Sequence, residues 1–179
     1  MKQILLVLLL SVLGCKNDIP KAQMAEKVAE IESESIVSSD FKLDIYDFDG
    51  LEPLINKQDE QVHIVNFWAT WCAPCVKELP YFEAMNEKYK NFGLEVLLVS
   101  LDFPKNYDSK LKPFITKNSL KSKVVAFDDT DQNRWIPAID ESWSGAIPAT
   151  IIYKGDKRTF YEQSFTQEEL EIEILKFLE

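Results

Sequence analysis

The chain has 179 residues, 46% of them hydrophobic and 28% charged, which suits one domain with a substantial core. A formal net charge of −10 argues against a basic surface for nucleic-acid phosphates or anionic lipid heads, and fits solubility instead. Three cysteines are too few for a disulfide scaffold.

Residues 1–14 read as a targeting segment. Lys2 gives a basic start, residues 4–10 are apolar without a break, and the run is far shorter than the about 20 residues a spanning helix needs. Its end, Val12-Leu13-Gly14-Cys15, resembles a bacterial lipobox, with Gly directly before the cysteine to be lipidated. That resemblance implies cleavage before Cys15 and a lipid anchor on it, which removes the odd cysteine from thiol chemistry. The alternative is an ordinary signal peptide with an incidental cysteine. Residues 15–40 follow as the lipidated cysteine and a polar tether, with a weak helix over 22–31. A partner-binding helix is the other reading of that stretch. Residues 41–179 form the folded domain.

In that domain, 41–48 alternates apolar and polar residues and predicts a half-buried edge strand, followed by a turn at Asp49-Gly50. Leu51, Leu54 and Ile55 suit a short turn packed below it. Residues 62–67 predict the first central strand, with His63 a packed or rim residue rather than a ligand. The strand runs into Trp68-Ala69-Thr70-Trp71-Cys72-Ala73-Pro74-Cys75, and apolar Leu79, Phe82, Met85, Tyr89 and Phe92 then recur at helical spacing. The two cysteines therefore open a helix over 73–90. A helix N-terminus favours an anion, because its first N–H groups are unpaired and its dipole is positive there. Cys72, at the mouth, is the predicted nucleophile, with a thiol pKa below its free value of about 8.5. Cys75, about one turn further in, is the buried resolving thiol. Pro74 lacks an N–H, which costs nothing in the first turn. Pro80 lies inside the helix and should kink it. Glu78 shares a face with Cys75; it is either a proton-handling group or a solvated first-turn acid, and Lys77 points to the surface.

Other chemistries fit the motif poorly. A zinc site would need a second ligand pair, and His63 is the only histidine, so no metal is expected. Haem attachment fails because Val76 stands where His is required. A purely structural disulfide stays open, although so short a loop constrains the unfolded chain little. A peroxidase would need a Thr three residues before an attacking Cys in a Pro-containing loop, which 65–75 lacks, and copper delivery through C-x-x-x-C-P fails on spacing.

Further along, 94–101 is nearly all apolar and predicts a central parallel strand, reached by a right-handed crossover. Residues 108–119 predict a second helix with Leu111, Phe114 and Ile115 inward and Pro113 in its first turn. Residues 123–127 predict a short strand. Asp128 to Asp131 is a polar loop and first-turn cap, without the spacing of an EF-hand. Trp135 and Trp143 flank a loop and are expected in the core, with groove lining as the other possibility. Residues 149–153 and 158–163 predict a hairpin around Lys154-Gly155-Asp156. Thr166 with Glu169 is a capping box for a last helix whose stripe is Leu170, Ile174, Phe177 and Leu178.

Asn66-Phe67-Trp68-Ala69-Thr70-Trp71-Cys72-Ala73-Pro74-Cys75, with Glu78 and Pro80 behind it, resembles the membrane-anchored thiol–disulfide oxidoreductases of the TlpA/ResA type in the thioredoxin superfamily. The likeness covers about residues 41–179, and departs from thioredoxin in having Asn66 where thioredoxin has a buried Asp. It implies an α/β thioredoxin-like fold: a central mixed sheet flanked by helices, with an extra N-terminal strand and an inserted helix. It implies a Cys72/Cys75 dithiol–disulfide cycle, proton handling by Glu78, and a cis-proline at Pro148 opposite the cysteines. The Ile147 backbone would then pair with an extended substrate, and Trp71, Ile147 and Pro148 would frame the groove. It favours reduction of disulfides in exported proteins, apocytochromes c among the candidates, by a monomer re-reduced by an upstream thiol protein, with no cofactor beyond the redox-active disulfide. The domain would face the periplasm or exterior of a bacterial cell envelope. The rival reading from another class is a non-catalytic binding lipoprotein on the same fold.

Overall fold

One mixed sheet, in the order β1-β4-β3-β2-β5-β6, carries the architecture. The structure is a computed structural model that describes residues 42–178. The expected signal segment 1–14, Cys15, the tether 15–40 with its weak helix, Phe41 and Glu179 lie outside the described residues. The elements are β1 (Asp44–Tyr46), α1 (Phe48–Ile55), β2 (Val62–Trp68), α2 (Ala73–Tyr89), β3 (Leu94–Ser100), α3 (Lys112–Lys117), β4 (Lys123–Phe127), α4 (Gln132–Ile139), β5 (Ala149–Lys154), β6 (Lys157–Tyr161) and α5 (Gln167–Leu178). β1, β4, β3 and β2 run parallel, while β5 and β6 are antiparallel to their neighbours. This is the thioredoxin-like fold, with β1 as the extra N-terminal edge strand and α3 as the inserted helix.

All seven residues of β2 are buried, His63 and Asn66 among them, as its largely apolar sequence requires of a strand covered on both faces. One face packs Ile64, Leu98 and Ile152 against Leu79, Phe82 and Met85 of α2 and Leu170 and Ile174 of α5. The other packs Val65, Phe67, Val125 and Ile151 against Phe48, Leu51 and Ile55 of α1 and Trp135 and Ile139 of α4.

The two helices on that second face are absent from the sequence expectation. Asp49-Gly50 is not a turn: the Asp47 side chain caps α1 by accepting from the Gly50 N–H at 2.9 Å. The strand correspondingly stops at Tyr46, and Phe48 enters a core helix. Residues 132–139, expected as loop, form α4. Trp135 and Ile139 are one turn apart and both buried, and that burial outweighs Pro137 inside the helix. α2 runs unbroken through Pro80 and ends at Tyr89; Phe92, expected on its stripe, lies past its end in a short 3-10 turn and is 72% exposed. A single π-helical turn, Tyr107–Leu111, precedes α3. The capping box at α5 forms as expected, with the Thr166 N–H donating to Glu169 Oε2 at 2.9 Å and the Glu169 N–H to Thr166 Oγ1 at 3.3 Å.

Candidate active site

β2 delivers the chain to the top edge of the sheet, and Cys72 caps the helix that leaves it. Its backbone is extended (φ −90°, ψ 98°), its carbonyl accepts from the Val76 N–H at 3.0 Å, and its Sγ accepts from the Cys75 N–H at 3.3 Å. Sulfur thus occupies the place a capping oxygen takes in ordinary helices, where unpaired amides and the positive helix end favour negative charge. Cys72 and Cys75 are joined as a disulfide with Cα atoms 5.3 Å apart. Cys75 is completely buried and Cys72 retains 6% exposure, so the first sulfur is the accessible one, though less open than the sequence suggested.

The Ile147–Pro148 bond is cis, and the Ile147 carbonyl oxygen lies 3.7 Å from Cys72 Sγ. Trp71 is 56% exposed and stacks on the equally open Phe103, ring centroids 6.4 Å apart. Beside them opens a cavity of about 540 Å³ lined by Trp71, Asp102, Phe103, Trp135 and Ile147 among others. Trp135 and Trp143 are both buried, as expected of core residues, and their ring N–H groups donate to the carbonyls of Asp129 and Ala146. With Phe67 and Phe160 they form the packed floor behind the loop that presents Pro148.

Two buried polar clusters hold this site, and sequence reasoning missed most of their members. The first fixes the strand exit before Cys72. Asp102, at the end of β3, accepts from the Thr70 N–H at 2.9 Å, the Thr70 hydroxyl at 2.6 Å and the Ser100 hydroxyl at 2.9 Å. The second surrounds Glu78, one turn along α2 from Cys75. Glu78 is buried, 1% exposed, and is not a solvated first-turn acid. Its Oε1 accepts from Asn66 Nδ2 at 3.2 Å and its Oε2 from the Phe165 N–H at 2.8 Å. Asn66 also donates to Thr150 Oγ1 at 3.0 Å across the β2–β5 pairing. Burial pushes the Glu78 carboxyl up to about 7, against the downward pull of the Phe165 and Asn66 donors. His63 sits at the opposite pole, stacked on Tyr153 with Nε2 2.8 Å from Asp59, and takes no part in this site. Among the described residues, no group of three or more His, Cys, Asp or Glu is placed to hold a metal ion.

Comparison with known proteins decides the family. The family model described as AhpC/TSA matches residues 38–158. The chain belongs to the AhpC/TSA family. Within it, this AhpC/TSA chain is 40% identical over 61 residues to the thiol-disulfide oxidoreductase ResA of Bacillus thuringiensis; that match spans 34% of this chain and 34% of the relative, about a third of its length. ResA of Geobacillus thermodenitrificans is 29% identical over 152 residues, covering 85% of this chain and 79% of that one. Among solved structures, a thioredoxin-family thiol:disulfide interchange protein from Chlorobium tepidum superposes with a TM-score of 0.57 at 16% identity, over 72% of this chain and 85% of that one. At that identity the likeness concerns the fold. Among the described residues, no helix of this AhpC/TSA protein is long and apolar enough to cross a membrane.

Proposed function

We propose that this protein is a thiol–disulfide oxidoreductase that reduces disulfides of exported proteins. The observation that carries the reading is the Cys72–Cys75 pair itself: one sulfur caps a helix and faces the cis-proline loop, and the other is sealed behind it. In the reduced enzyme the Cys72 thiolate attacks one sulfur of a partner disulfide. A Cys72–partner bond forms, and the partner's other sulfur leaves as a thiolate that takes up a proton. Cys75 then gives up its proton and attacks Cys72 Sγ, which closes the enzyme disulfide and releases the partner's second thiolate. Two electrons pass to the partner, and an upstream thiol protein returns them. Glu78, on the Cys75 face of α2, receives the proton that Cys75 loses; a buried carboxyl poised near neutrality suits both steps. Trp71, Ile147 and Pro148 frame the substrate, with the Ile147 backbone pairing with an extended chain.

The reductive direction rests on the resemblance to the TlpA/ResA type, and the thiol–disulfide chemistry itself is supported by the relatives named thiol-disulfide oxidoreductase ResA. A monomer tethered through a lipid on Cys15 fits the lipobox-like Val12 to Cys15, with the domain in the periplasm or outside the cell, where exported proteins acquire disulfides. No metal or dissociable cofactor enters this reading.

The test is capture of the intermediate. Reduced Cys75→Ala protein, mixed with a disulfide-bonded model peptide, should accumulate a covalent adduct at Cys72, visible as the summed mass and reversed by dithiothreitol. Absence of an adduct, or an adduct that persists in Cys72→Ser Cys75→Ala protein, contradicts the reading.

A further inference from the structure

Asn66 is the polar residue on a strand face otherwise given to Ile64 and Trp68, and it is completely buried. Its amide nitrogen uses both N–H groups, one toward Glu78 Oε1 and one toward Thr150 Oγ1. Its carbonyl oxygen Oδ1 has no partner. A buried carbonyl without a donor is uncommon in folded proteins and calls for a reason.

The partners of Glu78 supply one. Both carboxyl oxygens meet donors, Asn66 Nδ2 at Oε1 and the Phe165 N–H at Oε2, which suits an ionised carboxylate. A protonated Glu78 must place its own O–H. The backbone donor at Oε2 is fixed, so the hydroxyl belongs on Oε1, where the Asn66 N–H now opposes it. A half-turn of the amide removes the conflict, because Oδ1 then faces the hydroxyl and accepts from it. Thr150 follows, since a hydroxyl that accepted from Nδ2 can donate to Oδ1. Each orientation leaves one end of the amide without a partner, so hydrogen bonding alone does not lock either, and the proton on Glu78 decides between them.

We propose that Asn66 is a positioning residue whose side-chain amide turns over with the protonation of Glu78, donating to the carboxylate and accepting from the carboxylic acid, with the Thr150 hydroxyl reversing its role in step. The proposal deepens the reading of Glu78 as the proton acceptor for Cys75 and rests on it for its functional meaning. The device lets a proton enter and leave a sealed site without changing the packing. It matches a carboxyl whose burial lifts it to about 7 while two donors pull it back. The groups bonded to Glu78 are Asn66 on β2 and the Phe165 amide ahead of α5, and Cys75 lies one turn back on the same helix; among the described residues no charged side chain contributes to the shift.

The test uses the oxidised protein, so it is independent of disulfide exchange. The Asn66 amide protons should show nuclear Overhauser contacts to the Glu78 side chain above the titration midpoint of its carboxyl carbon and lose them below it. In Asn66→Leu the midpoint should move upward, because a charge-assisted donor is worth more to the carboxylate than its acceptor form is to the acid. Contacts that persist unchanged through the titration overturn the turning amide, and an unchanged midpoint in Asn66→Leu overturns the positioning role. If that variant does not fold, the wild-type contacts still decide. Should both readouts succeed while Glu78→Gln leaves the pH profile of exchange unaltered, the assignment of Glu78 to the Cys75 proton fails and the coupling of Asn66 to Glu78 stands.

Discussion

Cys72→Ser should lower insulin reduction by dithiothreitol to the rate seen without protein, with the domain still folded. The chemical loss is complete because a hydroxyl does not ionise near neutrality, and the buried Cys75 cannot reach a protein disulfide in its place. The structural loss is small for two reasons. Serine is among the preferred residues at the helix position Cys72 holds, and its oxygen can accept the Cys75 N–H that Sγ accepts now. The disulfide it removes joins residues only 3 apart in sequence, a loop far shorter than the 15 residues worth about 3 kcal/mol. Circular dichroism and thermal unfolding separate the two effects. Residual turnover above background in a folded variant would mean that another sulfur attacks.

Glu78→Gln should flatten the pH dependence of stability. Folding raises the Glu78 carboxyl from its ordinary 4.5 to about 7, so between those values the native state holds a proton that the unfolded chain has released. The contribution of this group to stability therefore falls as pH rises through that window. The cost is complete above the folded value and absent below 4.5, and it amounts to about 3 kcal/mol from this group. Glutamine keeps the shape, can accept from the Phe165 N–H and cannot ionise. The difference between the two denaturation free energies, measured on the oxidised proteins at fixed ionic strength, should shift in favour of the variant from pH 4.5 to pH 8 by up to that amount. Parallel curves would mean that Glu78 is ionised in the native state with no cost.

The parts of the fold that were legible in sequence are those where local pattern and tertiary need agree. β2 and β3 read as buried strands because both faces are covered, and the cysteines fall at a helix start because the apolar period changes from strand to helix beside them. The capping box at Thr166 is a purely local signal and forms as written. α1 and α4 were hidden for the opposite reason. Each is eight residues long and carries a proline, and Gly50 adds a turn signal to the first. Burial of Leu51, Ile55, Trp135 and Ile139 on the sheet outweighs those local preferences.

The site divides in the same way. Its sulfur chemistry lies within one contiguous motif and was readable. Its buried carboxyl cluster is assembled from Asn66, Glu78, Thr150 and Phe165, whose bonds span 84 and 87 positions for Asn66 to Thr150 and Glu78 to Phe165. No local pattern announces such partners. The resemblance to the TlpA/ResA type marked Glu78 as a candidate, but only the packing of α2 against β2 and the segment before α5 shows that it is buried. Asp102 escaped notice similarly, since its bonds to Thr70 join the ends of two strands 32 residues apart.

The account depends on Cys72 ionising more easily than an ordinary thiol, and the rate of its alkylation by iodoacetamide in the reduced protein, followed against pH, tests this most directly. The predicted profile has its midpoint below the free-thiol value of about 8.5, with Cys75 reacting far more slowly throughout. A midpoint at that value, with Cys72 labelled no faster than the same residue in the unfolded chain, would contradict it.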